Sequence, residues 1–178
     1  MGVSGRPAAV GILMGSDSDL PVMEAAFGVL REFGVPFEAA VLSAHRTPER
    51  ASAYAASARG RGVRVIIAGA GWAAHLAGVL AAKTTLPVIG VPIDSSPLQG
   101  MDALLSTVQM PPGIPVATMA VGKGGARNAA LFAVQILALS DPELAGKLSE
   151  YKAAMAEEVL RKNQNLDAAI RTSFLDES

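Results

Sequence analysis

An α/β domain, with a parallel sheet wrapped by helices on both faces, is the fold class this sequence predicts. Three observations predict it. Short apolar runs alternate with stretches whose apolar positions recur at helical spacing, the order that builds strand–helix–strand units. The apolar runs are continuous rather than alternating, as strands buried on both faces require. The chain has 178 residues, 51% of them hydrophobic, enough for one domain with a substantial core.

Taken in order, Ala8–Gly15 is an apolar run ending in glycine and predicts the first strand. Val22, Ala26, Val29, Leu30 and Phe33 follow at helical spacing. Asp19 is the expected cap of that helix, Pro21 sits in its first turn and Gly34 ends it. Phe37–Leu42 predicts the second strand. Thr47–Arg59 predicts a helix with Thr47 as cap, Pro48 at its first position and Gly60 as stop. Val63–Ala68 predicts the third strand, followed by the glycine-rich Gly69–Trp72 and a helix over Ala73–Lys83. Pro87–Val91 is the fourth strand and Asp102–Val108 a short helix. A Pro111-Pro112-Gly113 turn leads to a fifth strand near Val116–Val121. Ala126–Ser140 predicts a helix apolar nearly all round, which must be covered on more than one side. Asp141–Asn165 predicts a polar helix. Residues 1–165 are expected to form one α/β domain whose C-terminal helical arm starts near 141, and 166–178 a frayed tail.

Composition narrows the function classes. The formal charge is −1, with no basic block, which argues against nucleic acid as the main partner. No Cys is present, excluding disulfides, thiol catalysis and zinc–sulfur sites and fitting a cytoplasmic protein. Met1–Arg6 lacks the apolar segment of a secretory signal. A long stretch without Lys, Arg, Asp or Glu, Val65–Ala82, reads as strand, loop and helix rather than a membrane span. Residues 1–140 carry a net charge of +2 and residues 141–178 a net charge of −3. The last segment is therefore a solvated helix or an arm on a neighbouring subunit. Ala supplies 33 residues; so few large anchors favour further burial against copies of the same chain, although an alanine-rich host would give the same count.

Three segments follow predicted strands and converge at one sheet edge, where α/β proteins bind ligands. In Gly15–Asp19 (GSDSD), Ser16 and Ser18 beside a helix start suit a phosphate. The carboxylates oppose that, so one of them caps the helix or holds a sugar hydroxyl; a plain Ser/Asp-rich turn fits as well. In Ser43–Pro48, Arg46 is a fork suited to phosphate or carboxylate, and His45 can move a proton near neutral pH. In Gly69–Leu76, glycines permit close ligand approach, and the second His, His75, lies one turn on. Gly122–Ala126 resembles a phosphate loop loosely without Walker spacing. The chain lacks a G-x-S-x-G elbow, a G-x-G-x-x-G first turn and an H-x-x-x-H pair, which argues against hydrolase, dinucleotide and catalytic zinc chemistry.

Several motifs in order resemble one family. They are GSDSD at Gly15–Asp19, SAHRTPE at Ser43–Glu49, IIAGAG-AAHL at Ile66–Leu76, VPIDS at Val91–Ser95, and QMP-GIPV with GK-GA-NAAL within Gln109–Leu131. Together they closely resemble the bacterial PurE family, the N5-carboxyaminoimidazole ribonucleotide mutases of purine biosynthesis, over about Val10–Leu148. The resemblance implies a flavodoxin-like three-layer fold and a homo-octamer. It implies rearrangement of N5-carboxyaminoimidazole ribonucleotide to the 4-carboxy isomer, with no metal, ATP or organic cofactor. Carried over residue by residue, Ser16, Asp19 and Arg46 bind the ribonucleotide, Ser18 and Ser43 orient it, and His45 is the acid/base. The Gly71–Leu76 loop, with Gly71 and Ala74, lines or covers the site, and His75 supports it. Trp72 departs from the pattern, which usually has a small residue there. Its ring is expected either to face a neighbour or to narrow the pocket; whether Lys123 reaches a neighbouring site is left open.

The residues make that chemistry intelligible. A carboxyl group that leaves nitrogen as CO2 must be held against the ring, and the small Ala70, Gly71, Ala73 and Ala74 can form such a cage under a covering loop. Two other classes compete: a flavodoxin-like flavin or nucleotide module without catalysis, disfavoured by the few aromatics, and a carboxylase that takes CO2 directly. A purely structural oligomer leaves three unusual loops at matching strand ends unexplained.

Overall fold

The computed structural model describes residues 7–175, with side chains described to residue 166. Two compact units make up the chain, Met1–Leu137 and Ala138–Ser178.

In the first unit, strands β1 (Val10–Met14), β2 (Phe37–Val41), β3 (Val65–Gly71), β4 (Val88–Ile93) and β5 (Ala117–Thr118) form one sheet in the order β2-β1-β3-β4-β5. Every pairing is parallel. Val10 sits between Phe37 and Val65, and Met14 between Val41 and Gly69. All residues of β1 and β4 are buried, because helices lie over both faces; this is why their sequences read as unbroken apolar runs. The edge strand β2 is more open: Phe37 is buried, Glu38 and Ala40 are half-buried, and Ala39 and Val41 are exposed. This is the flavodoxin-like order, whose chain reverses direction of winding between β1 and β3 and opens a crevice there.

Helices α1 (Leu20–Glu32), α2 (Pro48–Ala58), α3 (Leu76–Ala81), α4 (Met101–Val108) and α5 (Lys123–Ala138) connect or follow the strands. One core layer joins Leu13, Ile66 and Val88 of the sheet to Ala51, Ala55 and Ala58 of α2 and Leu76, Ala77 and Leu80 of α3. Alanines on α2 let it approach closely. α1 buries Met23, Ala26, Val29 and Leu30. α5 buries Ala126, Ala129, Ala130, Ala133, Val134 and Leu137, whereas Phe132 and Gln135 are exposed.

Several boundaries differ from expectation, each for a physical reason. β3 runs three residues beyond Ala68, so Gly69 and Gly71 are strand residues paired with Val91 and Ile93. They are glycines because of packing: a Cβ on Gly69 would lie 2.5 Å from the Met23 sulfur, and one on Gly71 would strike the Ser95 hydroxyl. α3 starts at Leu76 rather than Ala73, after a turn in which the His75 N–H donates to the Ala73 carbonyl at 2.8 Å. β5 shrinks to two residues. α5 starts at Lys123, and a Cβ on its Gly125 would run into the Ala120 carbonyl. α2 is extended by a 3-10 turn, Arg59–Arg61, so Gly62 (φ 99°), not Gly60, is the left-handed stop.

The second unit contains helix α6 (Pro142–Leu175). Asp141 Oδ1 caps it, accepting from the Glu143 and Leu144 N–H groups at 3.1 and 3.2 Å. Ion pairs Glu143–Lys147 and Glu158–Lys162, one turn apart, lace its surface. Its backbone is helical to Leu175; side chains from 167 and the last three residues, where the frayed tail was expected, lie outside the described residues. No helix among the described residues is long and apolar enough to cross a membrane.

Candidate active site

The C-terminal ends of β1, β2 and β3 carry three loops that meet around an open cleft of about 660 Å³, all within the first unit. Parallel strands force this convergence, since each loop leaves the same edge.

The first loop is built around its own hydrogen bonds. Ser16 has extended backbone and caps a 3-10 turn, Asp17–Asp19, by accepting from the Ser18 N–H at 3.3 Å. Asp19 Oδ2 reaches back to accept from the Ser16 N–H at 3.0 Å, completing a reciprocal capping box. The Ser18 hydroxyl donates to Ser16 Oγ at 2.9 Å. Asp19 therefore does not cap α1 with its side chain, as the sequence predicted; its carboxylate is spent on the preceding turn. Only 4% exposed, Asp19 has its pKa raised. Burial is the main cause, aided by Asp17 and opposed by the backbone N–H groups of Ser16 and Gly15 and by Arg46.

The second loop is pinned in the same way. The Ser43 hydroxyl accepts from the Arg46 N–H at 3.1 Å. Thr47 Oγ1 donates to the Ser43 carbonyl at 3.1 Å and accepts from its N–H at 3.0 Å, so Thr47 braces the loop rather than capping α2. This leaves His45 and Arg46 projecting and exposed. The Arg46 guanidinium donates to the Gly15 carbonyl at 3.4 Å, tying the second loop to the first.

The third loop brings His75 to His45. Their Nδ1 and Nε2 atoms stand 2.7 Å apart, with the rings edge to face. Both histidines of the chain thus share one hydrogen bond across the cleft, one nitrogen donating and the other accepting. Between Gly71 and His75 the chain turns through Trp72, which has φ 54° and is 59% exposed. A bulky residue in the left-handed region carries strain of about 1–3 kcal/mol, a level that persists at sites where surroundings or function require it.

Ser16, Ser18, Asp19, Ser43, His45, Arg46, Gly71 and His75 all line the cleft, as do Ala70 and Ala73 of the expected cage. Ala74 does not: it is 2% exposed and belongs to the core, so the small residue there serves packing beneath the loop. Lys123 is exposed at the start of α5 and is not among the lining residues. Ser95 lines the cleft without having been singled out. It follows β4 directly, so the rule that found the other loops would have found it.

The fold and the cleft define a class: a flavodoxin-like α/β protein with a small-molecule site at its topological switch point, furnished with paired imidazoles, a guanidinium and hydroxyls. The chain belongs to the AIR carboxylase family, whose model matches residues 9–158. It is 56% identical over 168 residues to the N5-carboxyaminoimidazole ribonucleotide mutase of Synechocystis, covering 94% of each chain. It is 55% identical over 167 residues to the phosphoribosylaminoimidazole carboxylase of Saccharomyces cerevisiae, covering 94% of this chain and 29% of that one. The crystal structure of Treponema denticola PurE superposes with a TM-score of 0.81 at 30% identity, covering 90% of this chain and 99% of that one.

Proposed function

We infer that this protein is an N5-carboxyaminoimidazole ribonucleotide mutase, converting its substrate to 4-carboxy-5-aminoimidazole ribonucleotide in purine biosynthesis. The observation that carries this reading is the imidazole pair: His45 projects into the cleft from a braced loop, 2.7 Å from His75. The family and the full-length likeness to a mutase supply the substrate.

The reaction has three bond changes. The N5–carboxyl bond breaks, leaving its electron pair on nitrogen and releasing CO2. Ring carbon 4 attacks the CO2 carbon, forming the new C–C bond. The hydrogen on that ring carbon is then surplus, and a proton is needed on the exocyclic nitrogen, so one proton moves from carbon to nitrogen with no net change in charge. His45 is the group that carries it, and its hydrogen bond to His75 fixes the ring and gives the proton a second nitrogen to reside near. Arg46 and the Ser16 and Ser18 hydroxyls hold the phosphate end. Asp19 orients Ser16 and offers its carboxylate to a ribose hydroxyl. Ser43 holds the His45-Arg46 segment in place. Ala70, Gly71 and Ala73 give the cleft a wall of small side chains against which CO2 can be held. Keeping the fragments aligned makes recapture effectively intramolecular, a gain of up to roughly 7–11 kcal/mol for ideal alignment.

The reading includes no metal, ATP or organic cofactor, a homo-octamer and a cytoplasmic location. Its test is turnover of N5-carboxyaminoimidazole ribonucleotide in the presence of a chelator and without ATP. Absence of product overturns it. A second reading, direct carboxylation of aminoimidazole ribonucleotide, is favoured by the likeness to the yeast carboxylase. Product formed from aminoimidazole ribonucleotide and bicarbonate at a rate matching that of the N-carboxylated substrate would establish the second reading instead.

A further inference from the structure

Aromatic side chains are scarce in this protein: five Phe, two Tyr and one Trp in 178 residues. Among the described residues none of the Phe or Tyr lines the cleft, and the single Trp does. Its placement is not what burial would produce, since the indole is 59% exposed. Nor is it what backbone preference would produce. At φ 54°, glycine is the residue that fits without strain. The turn is anchored on both sides. Before it, Gly71 packs so closely on Ser95 that a Cβ would strike the hydroxyl; after it, Ala74 is buried in the core and the His75 N–H is bonded to the Ala73 carbonyl. The backbone of Trp72 is thus held in a strained conformation by fixed neighbours, at the rim that holds the imidazole pair.

A flat, exposed ring on a backbone-anchored turn at the wall of a polar cleft suits one kind of ligand group, a planar heteroaromatic ring that stacks on it. The remaining lining supplies hydroxyls, a guanidinium and imidazoles, which suit a phosphate, a sugar and a moving proton, but no flat apolar face. We propose that Trp72 is a substrate-contacting residue whose indole stacks on the aminoimidazole ring, holding it in the cleft while CO2 changes atoms. This inference rests on the mutase reading and assigns to this chain a contact that a glycine at position 72 could not make.

The sole Trp is also its own reporter. Adding aminoimidazole ribonucleotide to the intact protein should change the intensity or wavelength of Trp72 emission with the same midpoint that calorimetry gives for binding. Trp72→Gly should raise KM for the N-carboxylated substrate by roughly 5- to 150-fold, the usual range for loss of one ring stack. Its kcat should fall less, and its thermal midpoint should not drop, because the strain at φ 54° is released. Trp72→Phe should keep most of the affinity, while Trp72→Leu, apolar and equally strained but without a ring, should not. The proposal is overturned if the wild-type protein binds and turns over while its emission stays unchanged. It is also overturned if Trp72→Leu matches Trp72→Phe, or if Trp72→Gly keeps its KM and instead loses assembly on a sizing column. In each of those cases wild-type turnover leaves the mutase reading standing; a wild type that neither binds nor turns over sinks both.

Discussion

The Gly15–Asp19 and Gly71–His75 loops leave neighbouring strands at the same edge, yet they are held in opposite ways. In the first, side chains satisfy the backbone: Ser16 and Asp19 cap reciprocally, and Ser18 bonds to Ser16. In the second, a single backbone bond spans the turn, and a Trp occupies a conformation that suits glycine. The difference teaches how one cleft divides its labour. The Gly15–Asp19 wall is rigid because its polar groups are already paired with one another. The Gly71–His75 wall can hold strain because it is tied down on both sides, by the close packing of Gly71 on Ser95 and by the buried Ala74.

The largest test of this division lies where the loops meet. His45→Asn should keep ribonucleotide binding but lower turnover by about 10²–10⁴-fold, the usual contribution of a positioned acid/base. Calorimetry and steady-state rates check it; near-normal turnover removes His45 from the mechanism. Next comes the anchor of the strained loop. Gly71→Ala should destabilise the protein by about 1–3 kcal/mol in denaturant unfolding through overpacking against Ser95 and the Ile93 carbonyl, and the double variant with Ser95→Gly should recover part of that. The paired loop should respond more mildly: Ser16→Ala should cost about 0.5–2 kcal/mol as a lost cap and weaken nucleotide binding as well. Equal stability of wild type and Ser16→Ala would mean that the capping box does not set the rigidity of this wall.

The smallest effect is electrostatic. Burial raises the Asp19 pKa above its ordinary 3.8, so the folded state binds this proton more tightly than the unfolded chain does. The contribution to stability is fully present below the ordinary value and is lost as pH rises through the raised one. Thermal midpoints of wild type and Asp19→Asn should therefore converge or cross in wild type's favour on acidification through that window. A gap that widens against wild type at low pH would reverse the sign and refute the burial account.

The legible part of this site lay where local chemistry follows strand ends. The loops carrying Ser16, His45 and His75 were placed from strand–loop–helix order, and the same rule would have added Ser95. Less legible was why each small or polar residue stands where it does. Asp19 and Thr47 look like helix caps in the sequence, but each turns to brace its own loop. Gly69 and Gly71 look like a flexible loop, but they are strand residues that let Met23 and Ser95 approach. Ala74 looks like part of a cage and is core.

Hydrophobic period and strand–helix alternation sufficed for the parallel α/β class, because burial on two faces leaves a continuous apolar signature in each strand. The order of motifs sufficed for the family. The tertiary structure alone decided that two histidines thirty residues apart share a hydrogen bond, and that the single Trp stands exposed at the cleft. Both depend on the register of β1, β2 and β3 and on close approaches between distant residues, and no local stretch of sequence contains the partner that sets either one.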